Sequence, residues 1–139
     1  MESTIATKPT AQIEYPVLSV RILSTFIDAI FIVALMFVFA SLLDKYSNPP
    51  DWIRAALFFG LWVIYEPLCT SLGFTIGNLI NGIRVRRYSD INKRISIFQA
   101  LIRYVVKISL GWMSFLTIHT NDQRRAIHDF AAGSVMIKK

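Results

Sequence analysis

Charged residues and cysteine are both scarce in this chain. Charged residues make up 17% of its 139 residues, against about 25% in a typical soluble domain, and 54% of the residues are hydrophobic. With so few charges a fully water-facing surface is hard to build. Together with the long apolar run described below, this excludes a soluble globular enzyme and a disordered chain. Cys69 is the single cysteine, so no intrachain disulfide can form and a disulfide-stapled secreted module is excluded.

The motifs of common enzymes are missing as well. No paired-cysteine or nucleophile motif occurs, and residues 73–77 lack the Gly-Lys-Ser/Thr ending that a phosphate-binding loop needs. His119 and His128 are the only histidines, and no third strong ligand stands at metal-site spacing from them. We therefore expect no enzymatic activity, no metal and no cofactor.

Apolar sequence, by contrast, occurs in membrane-spanning lengths. Asp28 is the one ionisable residue in the range 22–43, which at about 1.5 Å per residue reaches about 33 Å, enough to cross the hydrocarbon. We predict an all-α membrane protein with a first helix at about 17–43 and a second at about 52–72. The segment 44–51 between them is a turn, because its two prolines stop a helix.

The distribution of basic residues predicts the orientation. The basic residues of the predicted loop 73–95 outnumber its single acid, Asp90; they are Arg84, Arg86, Arg87, Lys93 and Arg94. The positive-inside rule then places this loop and the tail 1–16 in the cytoplasm, and residues 44–51 outside. The net charge of +6 thus indicates the cytoplasmic loops of a membrane protein, which can attract anionic lipid headgroups, and not a nucleic-acid partner.

The third apolar segment, at about 97–118, permits two interpretations. Ser96 and Gln99 form a capping-box pattern at its start. The residues that follow place apolar side chains on one face of a helix and polar side chains on another. The uninterrupted apolar part is only 108–118, too short to cross alone. We favour an amphipathic, interfacial or re-entrant helix; a third full span is the alternative. The C-terminal segment 119–139 is basic again, which favours a cytoplasmic C-terminus.

Several ionisable residues lie within or beside these helices. Arg21 and Asp28 are seven residues apart and share one face of the first helix, and Glu66 reaches a similar depth on the second. An acid at that depth is costly, so it either serves an ion or proton site or pairs with a basic residue of the same chain. For Glu66 the pairing candidates are Arg103 and Lys107.

Four motifs together resemble the RDD family of small membrane proteins, over about residues 17–137. They are Arg21 with Asp28; Gly73-Phe-Thr75-Ile-Gly77-Asn-Leu-Ile-Asn-Gly82-Ile-Arg-Val85; Ala100-Leu-Ile-Arg103-Tyr104; and Arg125-Ala-Ile-His128-Asp129-Phe-Ala-Ala-Gly133-Ser-Val135. The resemblance makes Asp129 the second aspartate of the family pattern. One departure from that pattern matters, since Asn78 stands where the family has a lysine; Ser134 in place of threonine is minor. The resemblance implies an integral inner-membrane protein, with transport of a ligand or ion proposed for the family and no enzymatic activity.

Two functions remain open at this stage. The first is a transport or ion/proton-exchange component that acts as a homo-oligomer or within a larger membrane complex, with a polar intramembrane site. The candidate site residues are Arg21, Asp28, Glu66, Arg103 and Asp129. The second is a membrane scaffold or accessory subunit in which Arg21, Asp28 and Asp129 only hold helices together. In either case we predict that Asp129 lies near Arg21, because both residues flank apolar runs at the same membrane face.

Overall fold

The structure is a computed structural model that describes residues 12–46 and 48–139. Most of the predicted tail 1–16 therefore lies outside the described residues. Two long helices dominate: α1, Leu18–Leu43, and α2, Asp51–Ser71. Large apolar side chains cover their outer surfaces; the side chains of Phe37 and Phe59, for example, are 72% and 63% exposed. Such a surface is stable in a bilayer and not in water.

The third apolar segment is helical but broken. It consists of α4, Ile97–Leu110, followed by a 3₁₀ helix, Gly111–His119. Gly111, at the junction, has φ +54°, which ends the α-helix. The predicted capping box is present at its start, where Ser96 Oγ accepts from Gln99 N and Gln99 Oε1 accepts from Ser96 N. Like α1 and α2, this segment is long and apolar enough to cross a membrane.

Strand pairing shows how the two ends of that segment lie relative to each other. Strand β1, Ile83–Arg87, precedes it in the sequence and strand β2, Ser134–Lys138, follows it. The two strands pair antiparallel, with Val85 opposite Met136. Both flanks of the broken segment thus lie on one side of the bundle, which we call the sheet side. The segment therefore starts and ends on the sheet side of the bundle, an arrangement that favours the re-entrant interpretation over a single crossing.

The N-terminal residues reach the same side. The backbone N–H of Lys138, in β2, donates to the carbonyl oxygen of Glu14 at 2.9 Å. The start of α1 and both strands therefore lie on the sheet side of the bundle, and α1 and α2, each long and apolar enough to cross a membrane, form a helical hairpin. This arrangement also brings Arg21, near the start of α1, to the sheet side.

The predicted basic loop, 73–95, and the C-terminal segment, 119–139, both contain regular structure that the sequence alone does not predict. Residues 73–95 include α3, Ile76–Ile80, besides β1, and residues 119–139 include α5, Ile127–Ala132, besides β2. A small apolar core lies beneath the strands; it consists of Ile83, Val85, Ile95, Ala100 and Met136. This compact layer holds the chain segments that surround the charged residues of α1 and α4.

Candidate functional site

Asp28 of α1 is held by neutral hydrogen-bond donors. Its Oδ1 accepts from the Tyr65 hydroxyl at 2.9 Å and from the backbone N–H of Gly77 at 2.8 Å, and its Oδ2 accepts from the Thr75 hydroxyl at 2.6 Å. Within residues 12–46 and 48–139, no basic side chain lies within 4.0 Å of this carboxylate. Asp28 is therefore fixed in position without a neutralising partner in the described part of the chain.

Close packing of α3 on α1 makes this geometry possible. A methyl group at Gly77 would overlap the carbonyl oxygen of Ser24 and stand 3.0 Å from Asp28 Cγ, so only glycine fits. Thr75 caps α3 by accepting from the backbone N–H of Asn78, and the Asn78 side chain in turn accepts from Ser24 Oγ at 2.7 Å. The short helix is thereby locked to the face of α1 that presents Asp28.

Asp129 lies in a fully buried ion cluster. It binds Arg21 Nη1 at 2.6 Å through Oδ2 and Arg103 Nε at 3.0 Å through Oδ1, and its own side chain is 0% exposed. The backbone N–H of Ala126 and the Ser134 hydroxyl also donate to it. Burial alone would raise the pKa of Asp129, but the two guanidinium groups outweigh this and hold that pKa well below its usual range. The predicted Arg21–Asp129 contact is present, and Arg103 shares it.

Glu66 of α2 takes the partners expected for a structural pair. Its Oε1 lies 2.7 Å from Lys107 Nζ and 3.9 Å from Arg103 Nη1. Glu66 and Asp28 line the same cavities but have different hydrogen-bond partners. Of the three acids that the sequence singles out, two are paired with bases and one is not.

These groups surround two cavities. The smaller cavity, of about 20 Å³, has room for about one water molecule. It is lined by Asp28 and also by residues at the Asp129 ion cluster, among them Arg103 and His128. The larger, of about 680 Å³, lies between α1, α2, α4 and the 3₁₀ helix and is mostly apolar. Asp28, Glu66 and Lys107 line both cavities. These three side chains therefore form the charged part of the wall of the large, mostly apolar cavity.

A comparison with known families identifies the family of this chain. The model of the RDD family matches residues 15–133, which is most of the chain and includes the residues of the Asp28, Glu66 and Asp129 contacts given above except Ser134. The protein belongs to the RDD family. No curated protein and no solved structure matches the chain significantly. The RDD match and the apolar helices together identify an integral membrane protein.

The glycines of the RDD motif have identifiable roles here. Gly73, with φ +110°, ends α2, and its carbonyl oxygen accepts from Val85 N; Gly82, with φ +65°, leads into β1, and its carbonyl oxygen accepts from Lys139 N. Neither conformation suits a residue with a Cβ. Together with Gly77 and Thr75, these glycines position α3 and β1 relative to α1.

His128 is buried beside the ion cluster rather than available for ligands. Its ring packs edge-on against Phe115 at 5.3 Å between centroids, and its side chain is 1% exposed. Burial lowers the pKa of His128 to about 3, the nearby Asp129 raises it in part, and the cations Arg103, Lys107 and Arg21 lower it further. His128 is thus a neutral packing residue at ordinary pH.

Three residues that shape the site are not among the candidate site residues. Tyr65 supplies a donor to Asp28, Ser24 anchors Asn78, and Arg125 lies over the rings of Tyr88 and Phe130 while donating to the Ser134 carbonyl. Helical spacing places Ser24 on the face of α1 that carries Arg21 and Asp28, but nothing in the sequence distinguishes Tyr65, and both residues gain these polar partners only when α3 folds against α1. Arg125 is the first residue of the last RDD motif, but the motif does not predict these contacts.

Proposed function

We propose that this RDD protein is a component of a membrane transport or ion-exchange system in which Asp28 binds the ion or proton. One observation carries the proposal: Glu66 and Asp129 are each paired with a base, whereas Asp28 is held by three neutral donors. An unpaired carboxylate within a membrane is costly, so its retention favours a role that needs the charge.

The donor geometry is suited to exchange. Tyr65, Thr75 and the Gly77 amide stabilise the ionised carboxylate without neutralising it, so the carboxylate can still take up a proton or accompany a cation. A fixed arginine or lysine would compete with either. In the same proposal the Arg21–Asp129–Arg103 cluster is a framework that holds α1, α4 and α5 together.

Two crossings cannot enclose a pathway, so several copies, or a partner subunit, would have to line it. We further propose the orientation that the positive-inside rule predicts, with the sheet side in the cytoplasm and the turn 44–51 outside an inner membrane. The basic residues of 84–94 then face anionic lipid headgroups. No catalytic role is proposed.

A specific observation favours a second candidate, a membrane scaffold or accessory subunit. Asp28 accepts the Gly77 amide and the Thr75 hydroxyl, and these bonds tie α3 to α1. If this is its whole role, loss of the charge weakens the fold and changes transport only through the folded fraction.

Flux in vesicles, measured on the same preparations as thermal stability, separates the two. We expect Asp28→Asn to keep the melting temperature within a few degrees and to abolish proton flux driven by added Na⁺ or K⁺, because asparagine keeps an acceptor oxygen but cannot exchange a proton. Asp44→Asn is the matched control, since its exposed carboxylate pairs with Arg54 at 2.9 Å. A large stability loss in Asp28→Asn, with flux reduced only in proportion, would instead establish the structural role.

A further inference from the structure

We infer that the large cavity beside Asp28 binds a hydrophobic monovalent cation, such as a lipophilic amine or a quaternary onium ion. This inference rests on the proposed role of Asp28 as an ion-binding carboxylate and adds the class of ligand. The cavity volume of about 680 Å³ is within the range of pockets that bury drug-sized molecules. A bare metal ion needs no such volume.

The charge of the cavity wall selects a cation. Among the ionisable side chains that line it, Lys107 and Glu66 pair with each other at 2.7 Å. Asp28 is then the one carboxylate of this wall that has no base within 4.0 Å in the described residues. In a low-dielectric setting, a carboxylate without a paired base favours a positive charge on the ligand placed against it and disfavours an anion.

The rest of the wall suits the body of such a ligand. Six aromatic side chains line the cavity: Phe26, Trp62, Tyr65, Tyr104, Trp112 and Phe115. Aromatic faces attract organic cations, and more strongly where water is excluded. The exposed polar wall is small and contains the charged groups just named, so the ligand would bury apolar surface everywhere except at Asp28.

The entrance faces the membrane. Phe26 on α1 and Trp112 on the 3₁₀ helix border the cavity and are 62% and 74% exposed. These side chains belong to apolar segments of membrane-spanning length, so the opening leads into lipid. A hydrophobic cation concentrates in that phase and can reach Asp28 from the bilayer, whereas a hydrophilic metabolite cannot. A lipid acyl chain or a second copy of the protein could also cover the opening, but neither places a cation at Asp28.

Two probes of the same shape and opposite charge test the assignment. We would titrate the full chain, in nanodiscs of neutral lipid, with tetraphenylphosphonium and with tetraphenylborate, subtracting binding to empty nanodiscs. Trp62 and Trp112 line the cavity, so their fluorescence reports its occupancy. Tetraphenylphosphonium should bind at least about tenfold more tightly than tetraphenylborate, and Asp28→Asn should remove about that advantage, because a desolvated charge then loses its partner. Asp44→Asn should leave both affinities unchanged.

A second variant keeps the test decisive if Asp28→Asn does not fold. Ala29 lines the cavity, so Ala29→Phe should occupy part of it and weaken tetraphenylphosphonium binding several-fold while retaining Asp28. Equal binding of the two probes, binding of neither, or no effect of Ala29→Phe would overturn the inference and leave an acyl chain or a second copy as the occupant. Cation binding without any proton flux would uphold the inference and refute the transport proposal, and Asp28-dependent flux without cation binding would do the reverse.

Discussion

Removing the charge of Asp129 should be one of the most destabilising single-atom changes in this protein. Its carboxylate is 0% exposed and binds two guanidinium groups, whose side chains, on Arg21 and Arg103, are 1% and 5% exposed. Asp129→Asn preserves shape and hydrogen-bonding capacity but leaves two arginines facing an uncharged amide. Breaking a buried ion pair in this way costs about 3–5 kcal/mol.

The same substitution on the surface provides the scale. Asp44 pairs with Arg54, but their side chains are 64% and 54% exposed, so Asp44→Asn should cost about 1 kcal/mol or less. The free energy of unfolding would be measured by titrating each variant with SDS in mixed micelles and following tryptophan fluorescence. If Asp129→Asn lowered the free energy of unfolding by no more than Asp44→Asn does, the ion cluster would not stabilise the fold and the reasoning would be refuted.

The cluster also predicts which double mutant fails. Exchanging the charges, with Arg21→Asp and Asp129→Arg, places the new guanidinium against Arg103, so the exchange should not restore the stability lost in each single change. The milder pair Arg21→Gln and Asp129→Asn should instead show a coupling of about 0.5–3 kcal/mol in a double-mutant cycle. Additive effects would show that the two residues do not interact.

Three further predictions concern packing, pH and topology. Gly77→Ala should lower the free energy of unfolding by about 1–3 kcal/mol, because the added methyl group has no space. Gly60→Ala, with no atom within 4 Å of the new Cβ, should be neutral or slightly stabilising in the same SDS titration. His128 has a pKa of about 3 when folded and about 6.5 when unfolded, so the unfolded chain binds more protons below pH 6.5. Lowering the pH from 7.5 to 5 should therefore reduce the free energy of unfolding by about 2 kcal/mol. The His128→Gln variant should lack that pH dependence. In a background without the native cysteine, an impermeant thiol reagent should label Lys45→Cys in intact cells and Asp122→Cys only after permeabilisation; labelling of both in intact cells would contradict the re-entrant third segment.

Local sequence was sufficient for the membrane elements. An apolar stretch of about 20 residues has one stable solution in lipid, since only a helix satisfies every backbone group internally. The capping box at Ser96 was equally readable, because its hydrogen bonds join residues three apart. The Arg21–Asp129 contact could also be anticipated, since two charges at one apolar boundary disfavour separate burial.

Long-range packing decided what the sequence left open. The third segment could span or return, and pairing between β1 and β2, about 50 residues apart, holds its two ends on one side of the bundle. Arg103 could have bound Glu66 closely; because α5 places Asp129 3.0 Å from Arg103, Lys107 becomes the closer partner of Glu66. Asp28 could have met a base, but the glycine at 77 lets α3 approach α1 closely enough for neutral donors to occupy its oxygens. Each outcome depends on which distant segments fill the same space, and a local pattern does not contain that information.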